Sequence, residues 1–274
     1  MMIGVENLIY GESRFRGAIY TTGGVAGAGL VGHTVGRTFP GLVGLSLVAT
    51  GGAMLGRTAA AVGDRLTEGD LPGARDALPA LVGRDPAMLD EFQIARAVVE
   101  SVAENTVDAI VAPALWAGLL GGVGVAGYRG INTMDAMVGH RNDRYQRFGW
   151  ASARLDDVAN LIPARLTAVL VALVRPTRAG DVLRLVRRDA RAHPSPNGGV
   201  AETAFAAALG IRLGGTNDYG NRTEYRGVLG DGPRASAADI GRSVRLSRDV
   251  SLATAALCAG SAMVAATAAR KKGR

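Results

Sequence analysis

Nine residues, Glu100-Ser101-Val102-Ala103-Glu104-Asn105-Thr106-Val107-Asp108, place carboxylates at i, i+4 and i+8. They run directly into about twenty residues that are almost all apolar, close to the length that spans a bilayer core. A helix through this segment carries three acids along one stripe. In a low-dielectric setting they repel one another, so the fold has to bring them arginines, a metal ion or a shared proton. The following stretch, Gly127 to Tyr145, crowds Arg129, Asn132, Asp135, Arg141, Asn142, Asp143 and Arg144 around short apolar runs. Polar groups that dense beside lipid-grade sequence mark a site.

The mean hydropathy of the 274-residue chain is only +0.16, but the apolar residues are segregated. Gly17 to Val35, Gly41 to Val62, Ala109 to Gly127 and Leu166 to Val174 hold almost no charge. Val250 to Ala269 is uncharged and ends in Arg270-Lys271-Lys272-Gly273-Arg274, the pattern of a membrane span with a basic stop. The first two stretches are rich in Gly, Ala, Ser and Thr, which suits close helix packing in lipid. The expected fold is therefore all-α: a polytopic integral protein of the cell membrane, with four to five membrane-embedded helical segments and polar helical loops. The competing reading is a soluble helical protein with buried Ala/Gly helices. The polar start lacks the charged region and apolar core of a signal peptide. Cys258, the single cysteine, is expected to pack inside the last stretch.

The chain divides into an N-terminal hairpin (14–62) turning at Pro40-Gly41, a soluble helical connection (63–99), a motif-bearing core (100–174), an Arg-rich polar region (175–248), and a last span with its basic tail (249–274). Together they form one membrane domain over residues 1–274. Asp70-Leu71-Pro72-Gly73 and Arg84-Asp85-Pro86 read as turns and helix starts. No strand-like alternation of useful length is present. A single crossing by Val107 to Gly127 would put the two halves of the opening motif on opposite sides. A hairpin bending at Gly121-Gly122 or Gly124 would keep them together.

The net charge is +7, and both lysines lie at the C-terminus, so the internal cations are arginines and histidines. Arginine suits bidentate grips on carboxylates and phosphates. With 5% aromatic residues and no aromatic-basic interleaving, the chain does not read as a nucleic-acid binder. For the acidic stripe, Mg²⁺ suits the oxygen-only donors, with Asn105 or substrate phosphates completing the shell. An ion-pair lattice with Arg96, Arg129 or Arg141 would satisfy the same acids. Asn132 with Asp135, and Asp156 with Asn160, each share a helix face. Arg165 follows one turn into the next apolar stretch. The loop Arg187 to Gly199 ends in His193-Pro194-Ser195-Pro196-Asn197-Gly198-Gly199 before a helix, which makes either a phosphate cradle or an ordinary capped helix entry with Ser195 or Asn197 as cap. No Walker A pattern occurs, and no histidine pair has zinc spacing.

Taken together, Glu100 to Asp108, Gly127 to Tyr145, Phe148-Gly149-Trp150, Arg154 to Arg165, His193 to Gly199 and Arg212-Leu213-Gly214-Gly215 resemble the CobD/CbiB family of cobalamin biosynthesis. The resemblance runs in order from about Arg14 to Arg248. It implies a membrane adenosylcobinamide-phosphate synthase, joining aminopropanol phosphate or ethanolamine phosphate to a propionate carboxylate of adenosylcobyric acid, with ATP and Mg²⁺. Its partners would be a corrinoid, the phosphorylated amino alcohol, the lipid bilayer and other cobalamin-pathway membrane proteins. That reaction needs metal ligands, for which Glu104, Asp108 and Asp135 are expected. It also needs acid-base groups, among Glu100, Glu104, Asp108, Asp156 and His193. Substrate and phosphate contacts fall to Asn105, Arg129, Asn132, Arg141, Arg154, Arg188, Ser195, Asn197 and Gly198. Members of the family usually open with an apolar segment carrying Asp-Pro and His-Pro pairs. This chain opens at Met1-Met2-Ile3-Gly4, so an upstream start or a site lacking part of its residues is expected. The alternative class is a non-catalytic corrinoid-binding membrane subunit or permease.

Overall fold

Helix dominates the Ala-, Leu- and Val-rich runs, and some of its ends follow local signals: the helix over Leu161–Val174 stops ahead of Pro176, and the one over Gly198–Leu209 ends at left-handed Gly210. The computed structural model describes residues 6, 8–38, 42, 52–82, 85–139, 143–218 and 223–272. Its helices are α1 (Arg14–Val35), α2 (Gly52–Thr67), α3 (Leu71–Ala77), α4 (Glu91–Thr106), α5 (Ala112–Val138), α6 (Tyr145–Phe148), α7 (Trp150–Ala159), α8 (Leu161–Val174), α9 (Ala179–Asp189), α10 (Gly198–Leu209) and α11 (Ala237–Lys272). A π-helical turn, Val107–Val111, joins α4 to α5. Two of the starts follow local rules. Asp70 caps α3 by accepting the Gly73 N–H, and Asp90 with Gln93 forms a capping box at α4.

The chain separates into two compact units, residues 1–50 with 112–162, and residues 51–111 with 163–274. Of the two arms of the expected N-terminal hairpin, α1 belongs to the first unit and α2 to the second. Its Pro40-Gly41 turn lies outside the described residues.

In the first unit α1 lies against α5 and α7. Its glycines permit backbone contact: a β-carbon on Gly32 would clash with the Gly122 carbonyl, and one on Gly122 with the Gly32 carbonyl. Tyr20, Met134, Val138 and Phe148 form the apolar cluster beside that seam. Helix α5 is not straight. Gly121 sits at φ 61°, ψ −141°, and a β-carbon on Gly124 would strike the carbonyl of Trp116. On a straight helix those two residues stand about 12 Å apart. The two arms fold back at Gly121, as the Gly121-Gly122 bend in the sequence anticipates. Both arms meet the end of α7, through Trp116 Nε1–H donating to the Ala159 carbonyl and Tyr128 OH donating to Asn160.

In the second unit α10 is buried along its whole length, surrounded by α4, α9, the first half of α11 and a small sheet. Val98, Val102, Phe205, Ile240, Leu246 and Val250 belong to its core. The glycines of α2 seat that helix on α11, Gly63 facing Ile240 and Gly56 facing Val244. The sheet is an antiparallel hairpin, β1 (Leu213–Asp218) with β2 (Thr223–Leu229), pairing Leu213 with Leu229 and Thr216 with Tyr225. It corrects the expectation of a chain without strands. Gly214, Gly215 and Gly227 all adopt positive φ and break any alternation, so the strands depend on tertiary anchors rather than pattern.

Among the described residues one helical run, Glu91–Val138, is long and apolar enough to cross a membrane. The pair Trp150–Ala159 and Leu161–Val174, bent by 41°, qualifies only if taken as one span. Cys258, expected to pack, is exposed on α11. His33 likewise lies on an exposed face, paired with Arg37 at 2.7 Å.

Candidate functional site

The acidic stripe divides in the fold. Glu100 is buried and committed to structure: its Oε1 accepts the Gly214 N–H at 2.9 Å and stands 3.6 Å from Arg96 Nε. Arg96 in turn donates to the carbonyls of Gly214 and Thr216, so α4 and β1 are tied by one acid and one cation. Asn105 donates to the Ser101 carbonyl one turn back. Glu104, half-buried, points to a different place, the junction between the 190s loop and α10.

There Glu104, His193 and Glu202 converge, each offering one ligand atom, all within 4.8 Å of one another. His193 follows a short 3-10 turn, Ala190–Ala192, and Glu202 lies one turn into α10. The side chains of His193 and Glu202 are 2% and 0% exposed, with Nε2 and Oε1 3.4 Å apart. Neither that Nε2 nor either oxygen of Glu202 makes a hydrogen bond among the described residues. Burial first, then the negative charges of Glu100 and Glu104, hold Glu202 well above the usual carboxylate range, with Arg226 opposing. Burial pushes the His193 imidazole down, against the pull of Glu104. A buried carboxylate and imidazole without hydrogen-bonded partners among the described residues, with the half-buried Glu104 carboxylate beside them, are a donor set suited to a divalent cation.

The loop's own geometry serves this cluster. Ser195 Oγ accepts the N–H groups of Gly198 at 3.1 Å and Asn197 at 3.3 Å, so Ser195 caps the start of α10 and occupies amides that a phosphate cradle would use. Asn197 Oδ1 accepts from Arg165 Nη1 at 2.8 Å. Gly198 and Gly199 have no room for a β-carbon against Glu104, His193 and the Ala190 carbonyl.

The expected ligand set Glu104, Asp108 and Asp135 does not form one cluster in either unit. The i, i+4, i+8 count assumes 3.6 residues per turn, and Asp108 falls inside the π turn Val107–Val111, where that count no longer applies. Asp135 belongs to the first unit. Arg188, expected at a phosphate, instead grips Asp189 and Asp231, with Nε 2.6 Å from Asp189 Oδ1. Asp189 is held below the usual carboxylate range by Arg188 and by the Gly230 N–H, against burial. Arg141 lies outside the described residues.

A second polar cluster occupies the first unit. Asp156 accepts from Asn160 Nδ2 at 3.1 Å and Asn132 Nδ2 at 3.4 Å, and Asn132 Oδ1 accepts from Arg129 Nη1 at 3.2 Å. Asp135 feels the negative charges of Asp156 and Asp157. Arg154 stands 3.7 Å from Asp157 on the exposed side.

Glu202 and Arg226 were not singled out from the sequence. Glu202 had a visible signal, as the only charged residue in α10. Arg226 had none, because its strand was not anticipated.

These features define a helix-built protein with one buried carboxylate-imidazole cluster and one amide-held carboxylate. The chain belongs to the CobD/Cbib protein family, whose sequence profile matches residues 3–247, and it is a cobalamin biosynthesis protein. It is 47% identical to the cobalamin biosynthesis protein CobD of Mycobacterium tuberculosis over 264 residues, 92% of this chain and 84% of that protein. Against the protein of that name from Rhodobacter capsulatus it is 52% identical over 190 residues, 69% of this chain and 60% of the relative. For the Geobacter metallireducens relative the figures are 46% over 214 residues, 76% and 66%. No solved structure matches the chain.

Proposed function

We propose that the chain is a multi-pass cell-membrane amide ligase, joining aminopropanol phosphate or ethanolamine phosphate to a propionate carboxylate of adenosylcobyric acid to give adenosylcobinamide phosphate. The reading rests on family membership together with one observation, the buried meeting of Glu104, His193 and Glu202 inside the matched segment. Groups left without hydrogen bonds at that depth call for a chemical reason.

A carboxylate does not condense with an amine in water until its oxygen is made a leaving group. ATP supplies this: the propionate oxygen attacks the γ-phosphorus, ADP departs, the amine attacks the acyl carbon, and phosphate leaves with the original oxygen. Bound with the nucleotide, Mg²⁺ would supply charge neutralisation for the phosphoryl group. The amine must lose a proton as it attacks. Asp156 is the acceptor we assign, because Asn132 and Asn160 each hold one of its oxygens and leave further lone pairs for the proton. Arg129, fixed through Asn132, is the phosphate grip beside it.

Membrane residence is supported by apolar side chains exposed on several helices: Leu30 and Val31 on α1, Leu119 and Leu120 on α5, Leu173 on α8, and Leu257 and Met263 on α11. Alkaline carbonate is expected to leave the chain in the membrane fraction, and a monodisperse soluble protein would overturn the membrane reading. For the reaction, the chain is incubated with adenosylcobyric acid, aminopropanol phosphate and Mg·ATP. One ADP and one phosphate per amidated corrinoid is expected. Corrinoid binding with no nucleotide turnover would favour a binding subunit or permease instead.

A further inference from the structure

We propose that Glu104, His193 and Glu202 form a resident divalent-cation site, separate from the Mg²⁺ that accompanies ATP and selective for an imidazole-accepting ion of the Zn²⁺ or Mn²⁺ kind. It stands on geometry alone and does not depend on the ligase reading.

Three atoms carry the argument. Both oxygens of Glu202 and Nε2 of His193 are buried without a hydrogen-bond partner among the described residues, Nε2 lies 3.4 Å from Glu202 Oε1, and Glu104 brings a third ligand atom within 4.8 Å of one from each. A buried carboxylate with no donor is among the costliest groups a fold can keep, and a cation held by one atom from each of the three residues neutralises it and satisfies the imidazole nitrogen. The histidine is also prepared from behind. Its Nδ1 lies 3.2 Å from the Ser195 carbonyl and 3.1 Å from the Ser195 N–H, so the same residue accommodates either tautomer. With a metal on Nε2, the proton sits on Nδ1 and is donated to the Ser195 carbonyl, the outer contact that orients most ligating histidines. Gly198 gives the ring its room, since a β-carbon there would lie 2.9 Å from Glu104 Oε1 and 3.0 Å from His193 Cε1.

The donor set chooses the ion. One imidazole nitrogen with two carboxylates suits Zn²⁺ or Mn²⁺, whereas Mg²⁺ prefers oxygen alone and keeps several waters, which this enclosure does not favour. Three protein ligands would leave further coordination positions for water or a substrate oxygen.

The alternative explanation is a proton shared between Glu202 and Glu104, with no metal. The experiment separates the two. The full chain, purified in detergent and stripped with chelator, is dialysed against Zn²⁺, Mn²⁺ or Mg²⁺ singly, and bound metal is measured by mass spectrometry, with Co²⁺ as an optical probe of nitrogen ligation. The expected result is one equivalent of Zn²⁺ or Mn²⁺ per chain, Mg²⁺ at least 100-fold weaker, and a Co²⁺ spectrum that changes in His193→Gln. Glu202→Gln and His193→Gln should each weaken binding at least 100-fold, while Asp108→Asn keeps the full equivalent. The wild-type stoichiometry needs no variant to fold. Wild type without a bound equivalent, or retention of it by both folded variants, overturns the site. Corrinoid turnover is assayed separately, so a metal-binding chain without ligase activity would sink only the ligase reading.

Discussion

Gly198 and Glu104 share one space: a β-carbon on the glycine would lie 2.9 Å from the carboxylate Oε1. The first residue of α10 is therefore small because the Glu104 carboxylate occupies the volume, and the glycine brings loop, helix and acid to one point. Gly198→Val should displace Glu104 and His193 and lower amide synthesis far more than Ser195→Ala. The serine change removes only the acceptor of two amide N–H groups, a loss of about 1 kcal/mol. Kinetics and thermal unfolding of both variants check this; equal losses would reduce the glycine to a helix entry.

Glu104 and Asp108 stand four residues apart, the first in the last turn of α4 and the second inside the π turn that follows. Glu104→Gln and Asp108→Asn should each lower synthesis by about a hundredfold or more, as removal of an acid-base or charge-stabilising group does. Membrane insertion should be intact in both. Product formation by isolated membranes carrying each variant is the measurement, and full activity in both would return the acids to a purely structural role.

Asp189 is buried between Arg188 and the Gly230 N–H, which together keep it ionised below the usual carboxylate range. The sign follows from that depression. The stabilisation is complete above the unfolded carboxylate value near 4 and is lost as pH falls through the folded value. Asp189→Asn should cost about 1 to 2 kcal/mol at neutral pH, since half-exposed Arg188 is screened by solvent. It should also flatten the decline of stability below about pH 4. Unfolding midpoints at several pH values test both; an unchanged acid limb would mean another group controls it.

Much of the helical fold was legible because apolar runs and Pro-Gly punctuation are local signals. The Gly121 fold-back could be anticipated for the same reason, as could the shared face of Asp156 and Asn160. What escaped were features decided by distant partners. The β-hairpin is held by Arg96 and Glu100 from another helix, and its positive-φ glycines hide the strand pattern. That α2 falls in the second unit depends on its finding α11, a partner that the helical spacing of Leu55, Ala59, Val62 and Leu66 does not name. In the site, His193 and Glu104 were named, but the acid between them was not. Helix counting extended the stripe along the chain to Asp108, while the fold completed it across space with Glu202. Charge in an otherwise apolar helix was the available clue.

The glycine seam of the first unit gives the last test. Gly122 meets the Gly32 carbonyl with no space for a side chain, whereas a β-carbon on Gly127, five residues along the same arm, meets nothing within 4 Å. If the seam holds α1 to α5, Gly122→Val forces the backbones apart and should cost about 3 kcal/mol, at the upper end of overpacking in a closed interface. Gly127→Ala should instead stabilise by up to about 1 kcal/mol, because alanine restricts the unfolded chain and suits a helix better. Thermal unfolding of the two variants in the same detergent gives the comparison. A similar shift for both would mean that the helices touch at Gly122 without depending on that contact, and that the glycines of α1 serve flexibility rather than packing.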